Sequence, residues 1–192
     1  MINQEVIVMP VKYLPSINWF AAAGAKKTIK FLNEENYRKE NHANRCSIAS
    51  SNGIIQLTVP LAGGRNQKAN IYDLKIAGVE WKRNHLNAIK SAYGKAPYFI
   101  YYLDQFEQII LNSNNQFSDL CLTLINWLNK EFQTENRIVA SSVNETETVI
   151  SNKKARQYHQ VFENKFGFQN NLSAIDLLFS TGPDAKNYLT EN

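Results

Sequence analysis

Two side chains able to hold charge or move a proton lie three residues apart in "EWKRNHLNAIKSAY", residues 80–93: Lys82 and His85. Apolar residues recur here at helical spacing, and at about 100° per residue Trp81, His85, Leu86, Ala88, Ile89, Ala92 and Tyr93 share one arc. Arg83, Asn87, Lys90 and Ser91 take the other side. His85 therefore faces inward as a candidate general acid or base, with Tyr93 on the same arc as a candidate substrate contact. Lys82 falls inside the apolar arc, where it would offer a point charge to a phosphate or carboxylate. The alternative is a hydrogen-bonded core histidine beside a lysine that snorkels to solvent.

A second set lies elsewhere in the chain. Asn44 and Arg45 precede a strand, where the guanidinium suits a bidentate anion clamp or a structural ion pair. His159 sits at the edge of an arc formed by Tyr158, Val161, Phe162 and Phe166, reaching core and solvent as a second acid or base candidate or as a boundary histidine. "GGRNQK", residues 63–68, has the glycines of an anion loop but lacks the flanks of a P-loop or dinucleotide fingerprint, so a strand connection is favoured. Asp176 follows Ser173 by three residues, the form of a capping box, and is expected to cap a helix. The sequence has no Ser-His-Asp order, paired-carboxylate motif, HExxH or Cys-rich metal spacing. No metal site is expected, and no pattern specifies a cofactor or an oligomeric state.

Bulk properties narrow the classes. The chain has 192 residues, a length suited to one domain spanning residues 1–192. Its net charge of +4 comes from basic residues scattered among acids, without the basic stripe of a nucleic-acid binder, so nucleic acid is not an expected partner. Mean hydropathy is -0.38, and no apolar run approaches the roughly 20 residues of a membrane span. "EVIVMP" lacks a basic leader and a long apolar stretch, so the cytoplasm is the expected compartment. Cys46 and Cys121 are expected to be small buried hydrophobes.

The elements that must position these residues can be read from periodicity. "EVIVM", a helix from about Ser16 to Ala25 and "TIKFL" form a strand, helix, strand unit. "RCSIAS" and "IIQLTVP" flank Asn52-Gly53, a hairpin signal, and the alternation in "IYDLKIA" predicts a further strand. Three helical stretches follow: "EWKRNHLNAIKSAY", "YFIYYLDQFEQII" and "FSDLCLTLINWLNKEF". "RIVAS" predicts a short strand, "SVNETETVISNKK" an exposed loop, and residues from about Ala155 to Phe166 a last helix ending at Gly167. In the tail "NNLSAIDLLFSTGPDAKNYL", Gly182 ends one helix and Pro183 starts another. The fold class expected is α/β, with a central mixed sheet from the N-terminal half covered by C-terminal helices.

Three stretches together resemble a known family: "YLPSINWF"; "NRCSIASSNGIIQLTVP" followed by "WKRNHLNAIKSAYGKAPYF"; and "YHQVFENKFGFQNNLSAIDLLFSTGP". In these the chain looks like a WbqC-like protein. The family is associated with bacterial gene clusters for O-antigen and related surface polysaccharides. The resemblance therefore implies a small-molecule ligand of the sugar-nucleotide class. It points to a transferase adding an acyl or aminoacyl group to that sugar, or to a non-catalytic binding or scaffold protein in the same pathway. One departure stands out. Where relatives carry an aromatic-Arg element before the Asn-Arg pair, this chain has His42 and Ala43, which implies a divergent member with altered ligand choice or weakened activity.

Overall fold

The computed structural model describes residues 5–32, 37, 41–63, 69–141 and 156–189. Strand β1 (Val6–Val8) leads through the loop 9–16 into helix α1 (Ile17–Ala23), which returns to strand β2 (Thr28–Leu32). Ser16 starts α1 by accepting a hydrogen bond from the Trp19 backbone N–H, and Gly24 ends it at a φ of 68° that favours glycine. Six of the helix's seven residues are buried, so it is held between other layers and has no solvent face of its own.

Strands β1 and β2 pair in parallel, Ile7 opposite Ile29, as the strand, helix, strand pattern predicts. The other edge of β2 is filled by β5 (Arg137–Ser141), also parallel, with Ile29 opposite Ile138. Strands β3 (Arg45–Ser50) and β4 (Gly53–Thr58) form a separate antiparallel hairpin. Ser50 faces Gly53 across its turn, and the Ser50 hydroxyl accepts from the Asn52 N–H. The α/β class is borne out; parallel and antiparallel pairing are both present but segregated into two sheets, and β5 comes from the C-terminal half.

Helices α2 (Glu80–Tyr93), α3 (Phe99–Asn112) and α4 (Phe117–Glu131) follow their periodicity. Helix α2 lies on β3, and α3 connects α2 to α4. Helix α5 (Glu163–Phe166) is a single turn, and the tail holds α6 (Ala174–Thr181), a 3-10 turn (Gly182–Ala185) and α7 (Lys186–Leu189). Phe179 of α6 is fully buried, meeting Tyr93, Phe99 and Phe106 edge-on at centroid distances of 5.4, 5.1 and 6.2 Å. Burial of such a ring contributes about 1.5–3 kcal/mol, so α6 is a core element.

The tail docks on the loop after β1. Ser16 and Ser173 form an antiparallel bridge; the Ile17 N–H donates to Leu172 O at 2.9 Å and the Ala174 N–H to Pro15 O at 2.8 Å. The Ser173 N–H also donates to Ser47 O of β3 at 2.8 Å, which links the hairpin to the parallel layer.

Three local expectations are corrected. "IYDLKIA" is not a strand: the Asn70 side chain accepts from the Tyr72 N–H and turns Ile71–Asp73 into a 3-10 helix, leaving single bridges at Lys75 and Ile76. The helix expected up to Phe166 shrinks to one turn, because Tyr158 and Gln160 lie in irregular backbone and turn their side chains to Asp176. Ser173 is the N-cap of α6 but its hydroxyl donates to Leu14 O at 3.1 Å, so no capping box forms. The expected loop at 142–154 and the residues 64–68 of "GGRNQK" lie outside the described residues.

Candidate functional site

The open end of the β3–β4 hairpin brings three of the sequence's candidates together. Arg45 and Thr58 are register partners there. Asn44 is buried one residue before, its Nδ2 donating to Val59 O at 2.8 Å while its Oδ1 accepts from the Tyr37 hydroxyl at 3.1 Å. The Val59 N–H returns a bond to Asn44 O at 2.9 Å, extending the ladder past the named strands. Arg45 is half-buried, and its charge acts on Tyr37, opposing the rise that burial causes in that phenol's pKa.

His85 reaches the same end from α2. Its ring is buried, and burial lowers its pKa to about 4, with a backbone hydrogen bond at Thr58 opposing the shift. That opposing sense fits a ring N–H donating to a carbonyl, which leaves Nδ1 to accept from the Tyr13 hydroxyl at 3.0 Å. Tyr13 has no solvent exposure, and burial raises its pKa well above 10.0, so it keeps its proton. The Tyr13 N–H donates to Ala43 O at 2.8 Å, so the loop after β1, the hairpin and α2 are tied at one point. Trp81 packs edge-on against both rings, and its buried indole N–H meets no hydrogen-bond partner among the described residues. A buried donor without a partner costs about 1–3 kcal/mol.

The other candidates are elsewhere. Lys82 spans to the end of α3, its Nζ donating to Leu111 O at 3.0 Å and Ser113 O at 2.7 Å; the cation inside the apolar arc thus meets the carbonyls at a helix C-terminus. His159 is exposed and pairs with Glu163 at 3.0 Å. Tyr93 is fully buried and donates to Asp176 Oδ2 at 2.9 Å.

Asp176 itself is a residue whose role the sequence pattern misreads. It lies in the first turn of α6 as expected, yet it is wholly buried. Its carboxylate accepts from Tyr93, Tyr158 and Gln160, residues drawn from separate parts of the chain. Burial raises its pKa, and the three donors work against that rise. The signal that could have found it is the polarity of Asp176 amid Ile175, Leu177 and Leu178, all buried.

At the departure from the family pattern, His42 is exposed with a φ of 47° and Ala43 is buried. Ala43 brings no charge to the hairpin end, where Arg45 is the neighbouring cation. Among the described residues no group of three or more His, Cys, Asp and Glu could hold a metal ion, and no helix is long and apolar enough to cross a membrane.

A family model described as the WbqC-like protein family matches residues 11–151, a span that holds the hairpin end, Tyr13 and His85. A Mycobacterium tuberculosis protein named "Uncharacterized protein Rv1507c" is 23% identical over 225 residues, covering 97% of each chain. No solved structure matches the chain.

Proposed function

The chain belongs to the WbqC-like protein family, and on that premise we propose that it binds a nucleotide-activated sugar at the open end of the β3–β4 hairpin. In this reading it is a cytoplasmic transferase that adds an acyl or aminoacyl group to that sugar during synthesis of O-antigen or a related bacterial surface polysaccharide. The observation that carries the reading is the meeting of Asn44, Arg45 and His85 at Thr58–Val59. Arg45 contributes the fork that suits a phosphate, and Tyr37 offers an aromatic hydroxyl beside it. His85 is neutral at neutral pH, and it would serve as a base by exchanging the Tyr13 hydroxyl on Nδ1 for the group it deprotonates.

A second reading, non-catalytic binding of the same ligand, draws support from the engagement of His85 with both Tyr13 and Thr58. One experiment separates the two. Purified protein is incubated with a panel of sugar nucleotides and acyl donors, with products read by mass spectrometry and binding by thermal shift. A mass gain on the sugar that is lost in His85→Gln supports transfer; a melting shift without turnover supports binding alone. Arg45→Met should weaken the shift-inducing ligand at least about tenfold, the scale of one charge-assisted hydrogen bond. If no sugar nucleotide shifts the melting temperature, both readings fall.

A further inference from the structure

The C-terminal half of α3 and the N-terminal half of α4 diverge around the loop 113–116 to form a cleft of about 210 Å³. Ile109 and Leu120 contribute its apolar surface, while Gln108, Asn112, Asn114, Asp119 and Thr123 supply amide, carboxylate and hydroxyl groups. We propose that this cleft is a binding site for a single neutral polyhydroxylated ring, a monosaccharide unit, separate from the hairpin end.

The choice of ligand follows from the groups present. No cation lines the cleft and Asp119 is acidic, which disfavours phosphate or any other anion. One carboxylate among neutral amides is a poor set for a divalent cation. The volume lies below the roughly 300–1,000 Å³ of drug-sized sites, too small for a whole nucleotide but of the order of one sugar ring. The remaining fit is to adjacent hydroxyls, which need donors and acceptors alternating above an apolar face.

Those donors and acceptors are preset. Asn112 Nδ2 donates to Gln108 Oε1 at 2.8 Å and Asn114 Nδ2 donates to Asp119 Oδ2 at 2.9 Å. Asn114 Oδ1 accepts from the Gln116 N–H at 2.8 Å, which fixes that amide. These pairings leave Gln108 Nε2 as a donor, Asn112 Oδ1 and Asp119 Oδ1 as acceptors, and the Thr123 hydroxyl as either, none of them bonded within the described residues. From outside the cleft, Lys82 holds the carbonyls of Leu111 and Ser113, and the Ser113 hydroxyl donates to Ile110 O at 2.8 Å. Lys82 is thus a positioning residue for this loop.

The test is a titration of isotope-labelled protein, followed by amide chemical shifts, with methyl glycosides of common hexoses, N-acetylglucosamine, glycerol and inorganic phosphate. A saccharide should shift amides of residues 108–123 saturably. Asp119→Ala and Asn114→Ala, both exposed side chains, should each weaken that binding about tenfold with the fold intact. Lys82→Met should weaken it as well and Lys82→Arg should restore it, a rescue that a general loss of stability would not give. Saturating saccharide with no shift at these residues, shifts that survive both alanine substitutions, or equal response to phosphate overturns the proposal. The readout does not involve Arg45 or His85, so its failure and the failure of the hairpin-end reading are separate results.

Discussion

Tyr93 donates its hydroxyl to Asp176 Oδ2 across 2.9 Å in a part of the core where neither side chain touches solvent. Tyr158 and Gln160 donate to the other carboxylate oxygen, so Asp176 ties α6 to two segments elsewhere in the chain. Removing that acceptor strands the Tyr93 and Tyr158 hydroxyls, while Gln160 keeps its bond to Gln169 O at 3.0 Å. Asp176→Ala should cost about 3–5 kcal/mol, on the scale of breaking a buried charged network, while Asp176→Asn, which keeps the volume and one acceptor, should cost less. Urea unfolding of both variants checks this; equal, sub-kilocalorie losses would show that the cluster does not hold these segments together.

His85 makes stability depend on pH in a defined window. Its folded pKa of about 4 lies below the ordinary 6.5, so the unfolded chain takes up a proton first as pH falls. Its contribution is complete above pH 6.5 and is lost on the way to about pH 4, up to about 3 kcal/mol in all. Asp176 acts in the opposite sense: its pKa is raised above 3.8, so its contribution is present below that value and declines as pH rises through the folded pKa. His85→Gln should therefore flatten the stability profile between pH 4 and 6.5, measured by denaturant midpoints across that range. A slope that stays the same assigns the dependence to other groups.

Gly182 cannot be replaced without strain. It holds a φ of 57°, and a Cβ there would lie 2.6 and 2.7 Å from Cγ and Cε1 of the Tyr98 ring. Gly182→Ala should destabilise by about 2–4 kcal/mol, combining the backbone penalty with overpacking. Tyr98→Ala in the same background should recover the overpacking part, visible as a partial return of the melting temperature.

The periodicity of α2, α3 and α4 was legible because each helix has one apolar face whose burial is decided by spacing alone. The hairpin was legible because Asn52-Gly53 restricts the turn locally. Asp176 and the 3-10 turn at Ile71–Asp73 were not. In the first case distant tyrosines claim a carboxylate whose neighbours spell a cap; in the second the Asn70 side chain competes with a strand whose alternation looks complete. The pairing of β5 beside β2 depends on contacts made far along the chain, which no local pattern encodes. Among the site candidates, the inward turn of His85 followed from its arc, whereas the reach of Lys82 to α3 required knowing which helix end lies beside it.

Removing the residues after Gly167 should leave insoluble protein. Ile175, Leu177, Leu178 and Phe179 have no exposure, and deleting them uncovers their partners on α1, α3 and α4. The fraction recovered in the soluble phase after expression measures this. A truncated chain that stays soluble and melts cooperatively would show the tail to be dispensable.

The bond from the Ser173 hydroxyl to the Leu14 carbonyl closes a separation of 159 residues. A ribosome adding about 5–20 residues per second therefore holds the Leu14 loop without its partner for roughly ten to thirty seconds. During that interval the apolar side chains of Tyr13, Leu14, Ile17 and Phe20 have no tail to cover them. The contacts of the Leu14 loop are thus completed only after Ser173 has been translated. A contact of this sequence separation raises the contact order, which slows folding relative to a fold built from local contacts.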